Sequence, residues 1–221
     1  MEQNHTLTES DNSPFIQTNS AAIRIWHWLT FLFVIALMIT VLLESTVLNQ
    51  RQNIPVVQAE LQKKGVTVNN NQALAVSHLY AEKMWDLHKL LGYALTFLVL
   101  ARIVIEVTQK KEEGMKFRFE NALQGLQQSG DNNKDLLHYL LVRISYSVFY
   151  LVLLAMATTG MLIAFGSDLG ISGPVRHTIK EVHGIFQYLI YAFVAFHLVG
   201  VILAELKKAK GIVSGMINGG K

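Results

Sequence analysis

The sequence predicts an all-α integral membrane protein, a four-helix bundle, and three observations carry that reading. Hydrophobic residues make up 51% of the 221 and charged residues only 16%, against roughly 25% charged in an average soluble domain. Four long stretches are nearly free of Asp, Glu, Lys and Arg, each close to the roughly 20 residues a helix needs to cross a hydrocarbon core. Eight histidines are present, and several fall inside those stretches, where an ionisable group is costly enough to mark function.

Composition also excludes. The net charge of +3 is spread along the chain, so no basic block offers a footprint for nucleic acid. Without cysteine there is no disulfide framework, thiolate nucleophile, iron–sulfur cluster or thioether-attached haem. Any bound metal rests on nitrogen or oxygen.

The spans fall at about 23–44, 87–108, 138–166 and 181–205, in a single domain over 1–221. Ile25 to Leu43 carries no Asp, Glu, Lys or Arg. Leu87 to Val107 holds Lys89 at its start and Arg102 and Glu106 in its last turns, which snorkelling from the ends makes tolerable. Ile144 to Ser167 is again uncharged, and Val182 to Ala204 is interrupted only by His183 and His197. Pro55 and the Asn69-Asn70-Asn71 run mark breaks in the first loop, residues 129–133 mark one in the second, and Pro174 marks the turn before span four. Met1 to Ser20 contains Glu2, Glu9 and Asp11 and no Lys or Arg, unlike a secretory signal, so it is expected to stay in the mature protein. Four spans place both termini on one side with the second loop. That side collects most of the 19 Lys and Arg, and the positive-inside rule then predicts cytoplasmic termini.

Depth sorts the histidines. His27 lies near the start of span one and His88 at the start of span two, on the opposite side of the membrane. His183 opens span four, and His197 follows about 21 Å further along the same helix and within about 40° of the same face. His27 therefore matches His197 at the termini side, and His88 matches His183 at the loop side. Two bis-histidine sites follow, each able to clamp a porphyrin between facing helices. With both axial positions of each iron filled, the chemistry is electron transfer and not oxygen activation. Gly92, Gly184 and Gly200 sit beside the ligands, where a missing side chain admits a flat macrocycle. Arg102 repeats on span two the stripe geometry of span four and is expected to pair with a haem propionate, with Arg24 in a similar place three residues before His27.

Plainer readings stand beside these. A transmembrane histidine can simply hydrogen-bond a neighbouring helix, glycines serve helix packing, and Arg102 or Arg24 can be ordinary span-end residues. His138, at the termini-side start of span three, competes with His27 as a ligand. His78 and His177 sit in loop-like sequence and are expected to be solvated, and His5 belongs to a polar tail. An aromatic belt accounts for Trp26, Trp28, Trp85, Tyr80 and Tyr139 at span ends.

Arg24-Ile25-Trp26-His27-Trp28, His88-Lys89-Leu90-Leu91-Gly92 with Arg102, Thr158-Thr159-Gly160, and Glu181-Val182-His183 with His197 follow one another in order. With the tail Gly211 to Ile217, the chain resembles the bacterial cytochrome b561 family. It is also similar to the broader set of four-helix membrane b-type cytochromes that includes hydrogenase and formate dehydrogenase anchor subunits. The resemblance implies two b-type haems per chain, His27 pairing with His197 and His88 with His183, in a bacterial inner membrane. The first loop, Glu44 to Asp86, is longer than in the shortest family members. The reading is transmembrane electron transfer between a quinone or quinol pool and a second redox partner. Its setting is the lipid bilayer, as a homodimer or as a subunit of a larger complex, without nucleic acid. His138, Arg143 and Glu106, with Arg102, are expected on the quinone-facing side. The alternatives are a membrane anchor for a hydrogenase- or dehydrogenase-type complex, and a histidine-based metal or proton transporter.

Overall fold

The computed structural model describes residues 20–108, 120, 134–207 and 211–219, with side chains in the helix that begins at Lys134 described for residue 137 and from residue 140 onward. Among the described residues six helices follow in order: α1 (Ala21–Ser45), α2 (Gln50–Gln62), α3 (Asn70–Thr108), α4 (Lys134–Phe165), α5 (Gly173–Lys207) and α6 (Ile212–Asn218). Four of them, α1, α3, α4 and α5, are long and apolar enough to cross a membrane. The all-α membrane bundle is the observed architecture.

Local chemistry sets the helix ends. Ser20 caps α1, its hydroxyl accepting from the Ile23 N–H. Asn49 caps α2 in the same way through Gln52. At the start of α3, Asn69 Oδ1 accepts from Gln72 N at 2.9 Å while Gln72 Oε1 accepts from Asn69 N at 2.9 Å, a reciprocal capping box that satisfies two otherwise orphaned donors. The asparagine run is thus a helix start. Pro55, by contrast, lies inside α2 and does not end it; only the Arg51 carbonyl loses its intrahelical partner, which an exposed helix tolerates.

The first loop is therefore mostly helical. At 39 residues, α3 is about 58 Å long, nearly twice the roughly 30 Å hydrocarbon core, so its first turns stand clear of the membrane. Ala73, Ser77 and Ala81 are buried along one stripe of that extension, and their small side chains let α2 pack closely against α3. Gln58 ties the pair together by donating to the Val68 carbonyl and to Asn70 Oδ1.

Within the bundle α1 packs on α3, α3 on α4 and α4 on α5. Val34, Leu95, Val99, Leu153 and Ile190 form a buried cluster to which every spanning helix contributes. On α5 that cluster lies between the depths of His183 and His197, so it separates a loop-side layer from a termini-side layer. Trp26 is 7% exposed and donates from Nε1 to the Leu98 carbonyl at 2.6 Å, which pins α1 to α3. Trp28 donates to the Met216 carbonyl of α6 at 3.0 Å. Trp26 is packed inside the bundle and not on an interfacial belt, and each tryptophan satisfies its indole N–H on a helix carbonyl. Tyr139 lies outside the described side chains, and Tyr80 is exposed.

The short α6 folds back against α1. The Glu205 carboxylate accepts from Gly211 N at 2.9 Å and from Val213 N at 3.2 Å. At the other end Gly219, with φ of +85°, closes the helix against the Arg24 guanidinium, a conformation that favours glycine.

Trp26→Phe keeps an aromatic ring and deletes the donor to Leu98. It should cost about 1 kcal/mol, read as a lower thermal midpoint in detergent, while Tyr80→Phe at an exposed position leaves the midpoint unchanged.

Candidate functional site

The termini-side layer is built around His27 of α1 and His197 of α5. Their ring centroids lie 6.3 Å apart with planes inclined at 59°. Phe193, one turn before His197 on α5, stacks on it at 5.7 Å and 8°, and Tyr146 of α4 meets it edge-on at 6.2 Å. Trp28 stands edge-on to His27 at 5.4 Å. These aromatic contacts restrict both imidazoles.

Arg102 of α3 belongs to the same layer. Its guanidinium lies 5.8 Å from the Trp26 ring and 5.3 Å from the Tyr150 ring, and Nη2 is paired with Glu106 at 2.8 Å. The side chain is 14% exposed, so Arg102 is enclosed by protein instead of snorkelling to water. Arg143, half-buried on α4, lies within electrostatic reach of Tyr146. Arg24 packs against Gly219 at the α6 C-terminus, where the helix dipole favours a cation. His138 falls on α4, and its side chain lies outside the described residues.

In the loop-side layer, His88 of α3 and His183 of α5 are within electrostatic reach of one another. Each is held through Nδ1 by a threonine from another helix, His88 by Thr40 Oγ1 of α1 at 2.7 Å and His183 by Thr159 Oγ1 of α4 at 2.8 Å. Trp85 is edge-on to His88 at 5.4 Å. A Cβ at Gly160 would come within 3.3 Å of His183 Cε1, so the glycine of the Thr-Gly pair makes room for the ring that the threonine grips.

The other histidines behave differently. His78 and His177 lie on α3 and α5 and not in loops, each facing a carboxylate one turn on, Glu82 at 3.5 Å and Glu181 at 3.6 Å. Both side chains are more than half exposed, as expected of solvated residues.

Three features of the residues bear on a macrocycle. First, an imidazole–metal bond is about 2 Å long, so two such bonds with half a ring at each end span about 6 Å, which the His27–His197 separation of 6.3 Å matches. Second, Arg102 Nη1, His27 Nδ1 and Thr30 Oγ1 are buried without a hydrogen-bond partner among the described residues, and all three belong to the termini-side layer. Third, a Cβ added at Gly92, Gly184 or Gly200 would meet no protein atom within 4 Å, so helix packing does not account for these glycines. The residues fit a haem, which brings four nitrogens and asks the protein for two. Zinc asks for three or four protein ligands, and no group of three His, Asp or Glu converges among the described residues.

The sequence had not singled out Thr40, Tyr146, Tyr150 or Phe193. Thr40 was findable, because the depth argument that paired the histidines also puts this hydroxyl of span one level with His88. The aromatic residues carried no such signal, being indistinguishable from apolar filling until the helices are placed.

No curated protein and no solved structure matches the chain. A family model described as prokaryotic cytochrome b561 matches residues 19–219. That match spans all four apolar helices and every histidine of the two layers, and the chain belongs to the prokaryotic cytochrome b561 family, multi-pass membrane proteins that bind b-type haem and carry electrons.

Proposed function

We propose that the chain binds two b-type haems, one between His27 and His197 and one between His88 and His183, and moves electrons across the bilayer between a quinone or quinol pool and a second redox partner. The observation that carries this reading is the use of α5 twice. One helix presents His183 and His197 at two depths, and the partner of each comes from a different helix, His27 of α1 in ring contact with His197 and His88 of α3 within electrostatic reach of His183.

Bound there, haem iron would supply a one-electron ferric–ferrous couple, held by His27 with His197 and by His88 with His183, a pairing suited to electron transfer. The protein's own groups do the rest. Arg102, with one nitrogen already committed to Glu106, keeps Nη1 for a propionate, and its aromatic cage holds the guanidinium in place. The half-buried imidazoles lie among aromatic and other apolar side chains, which lower the local dielectric, a lever on haem potential. Gly92 and Gly200 leave their backbones open to a flat ring. Arg24 is the second propionate candidate, acting from the aqueous edge beside α6.

The quinone-facing chemistry is assigned to the termini side, where Arg102, Glu106, Arg143 and the backbone position of His138 fall at one depth. A quinone head group needs hydrogen-bond donors and a proton carrier, and a histidine with an ordinary pKa of about 6.5 is suited to the second task. We place the protein in a bacterial inner membrane with cytoplasmic termini, as the distribution of Lys and Arg favours.

Haem extraction should give two haems per chain, and a value near one overturns the two-site reading. His183→Ala should remove the loop-side haem and His197→Ala the termini-side one, while His78→Ala and His177→Ala leave the reduced-minus-oxidised spectrum intact. For the quinone side, His138→Ala and Arg143→Ala proteins that keep both haems should be oxidised more slowly by a soluble quinone analogue. Unchanged rates in both would remove that assignment.

A further inference from the structure

Both loop-side histidines meet a threonine hydroxyl, and in both cases the hydroxyl proton is already engaged. Thr40 Oγ1 lies 2.7 Å from the Leu37 carbonyl, and Thr159 Oγ1 lies 2.7 Å from the Ala155 carbonyl and 3.2 Å from that of Met156. A carbonyl only accepts, and a hydroxyl has one proton to give. Each threonine therefore donates back to its own helix, an ordinary arrangement for a threonine in a membrane helix. What remains is a lone pair aimed at Nδ1 of a histidine on a different helix. The contact is attractive only if that nitrogen carries the hydrogen.

We propose that Thr40 and Thr159 are positioning residues of the loop-side site: each accepts the Nδ1–H of its histidine, fixing the tautomer that leaves Nε2 free to ligate and strengthening that nitrogen as a donor. The inference rests on the two-haem reading above. Two details make the device specific. Threonine is stiff at χ1 and has a rotamer that bonds the preceding turn, so the lone pair is aimed by the backbone and not by a mobile side chain. Gly160, next to Thr159, removes the Cβ that would press on His183 Cε1 at 3.3 Å, so ring and hydroxyl meet without displacement. The Thr159-Gly160 pair reads as grip and clearance for one imidazole. The termini-side layer is built otherwise, since His27 Nδ1 is buried with no hydrogen-bond partner among the described residues.

A hydrogen bond from the far nitrogen makes an axial imidazole more basic and favours the ferric state. Losing it should raise the potential of the loop-side haem alone. The test is a redox titration of purified holoprotein carrying Thr40→Val or Thr159→Val, with Thr40→Ser and Thr159→Ser as hydroxyl-retaining controls. His183→Ala and His197→Ala identify which component belongs to which layer. In each valine variant the loop-side component should shift positive by up to about tenfold in its ferrous-to-ferric ratio at fixed potential, which is about 59 mV for one electron. The termini-side component stays in place, and the serine variants follow the parent. Loss of the loop-side haem in the valine variants with retention in the serine variants equally supports the role of the hydroxyl. Unmoved potentials in all four variants, equal shifts in both components, or serine variants that fail together with valine overturn the proposal. Parent protein with fewer than two haems overturns the two-haem reading instead, so the two failures are distinguishable.

Discussion

The structure depends on one constraint, the cost of placing imidazole in hydrocarbon. A polar nitrogen without a partner costs several kcal/mol there because no water is available to it. Each ring has two nitrogens, and a ligand must keep one of them free. Where protein satisfies the other, the ligand histidine is tied to a group on a neighbouring element and so to the packing of the bundle. At the loop-side layer that tie is explicit. Thr40 joins α1 to His88 of α3, and Thr159 joins α4 to His183 of α5, so two hydroxyls link all four spanning helices to one site.

The termini-side layer is built from different materials. Trp26, Tyr150, Arg102 and Glu106 bring α1, α3 and α4 together around a guanidinium, and the indole N–H closes on the Leu98 carbonyl. The charge is sheltered by ring faces and a carboxylate, which offsets the expense of burying it. Aromatic contacts, not hydroxyls, orient His197, through Phe193 and Tyr146. The α6 strap then seals that end of α1, anchored by Glu205 at its start and by Trp28 near its close. One bundle thus carries two chemically different environments, separated by the aliphatic cluster of Val34, Leu95, Val99, Leu153 and Ile190.

Much of this was legible in the sequence because hydrophobic length and ionisable residues inside it are one-dimensional signals. Runs such as Ile25 to Leu43 announce a helix, and His183 and His197 announce their own depth by counting turns. What could not be read was anything set by rotation about a helix axis. Trp26 and Trp28 look like interfacial residues at a span end, yet one faces α3 and the other α6, and only the packed structure decides between lipid and protein. Arg102 likewise reads as a snorkelling end residue until Trp26 and Tyr150 are seen to enclose it. Pro55 misled for a different reason. A proline near the start of an exposed helix removes one hydrogen bond without breaking the helix, so the break expected there is absent, and α2 forms and packs on the small-residue stripe of α3.

On the two-haem reading proposed above, the division of labour within α5 lets a bundle of only four spans hold two such sites. A porphyrin supplies four of the six ligands an iron needs, so each site asks the protein for two side chains. A helix that offers one of each pair at two depths serves both sites. The partners must then come from helices on either side, and α1 and α3, already packed on one another and pinned by Trp26, provide one each. The geometry has a consequence for the packing itself. Among the described residues α5 packs extensively on α4 but not on α1 or α3, the two helices that carry His27 and His88. Close backbone packing across those pairs would leave no width for a ring between the imidazoles. The bundle holds α5 at the required distance through α4, and the apolar cluster at mid-depth keeps the two layers apart.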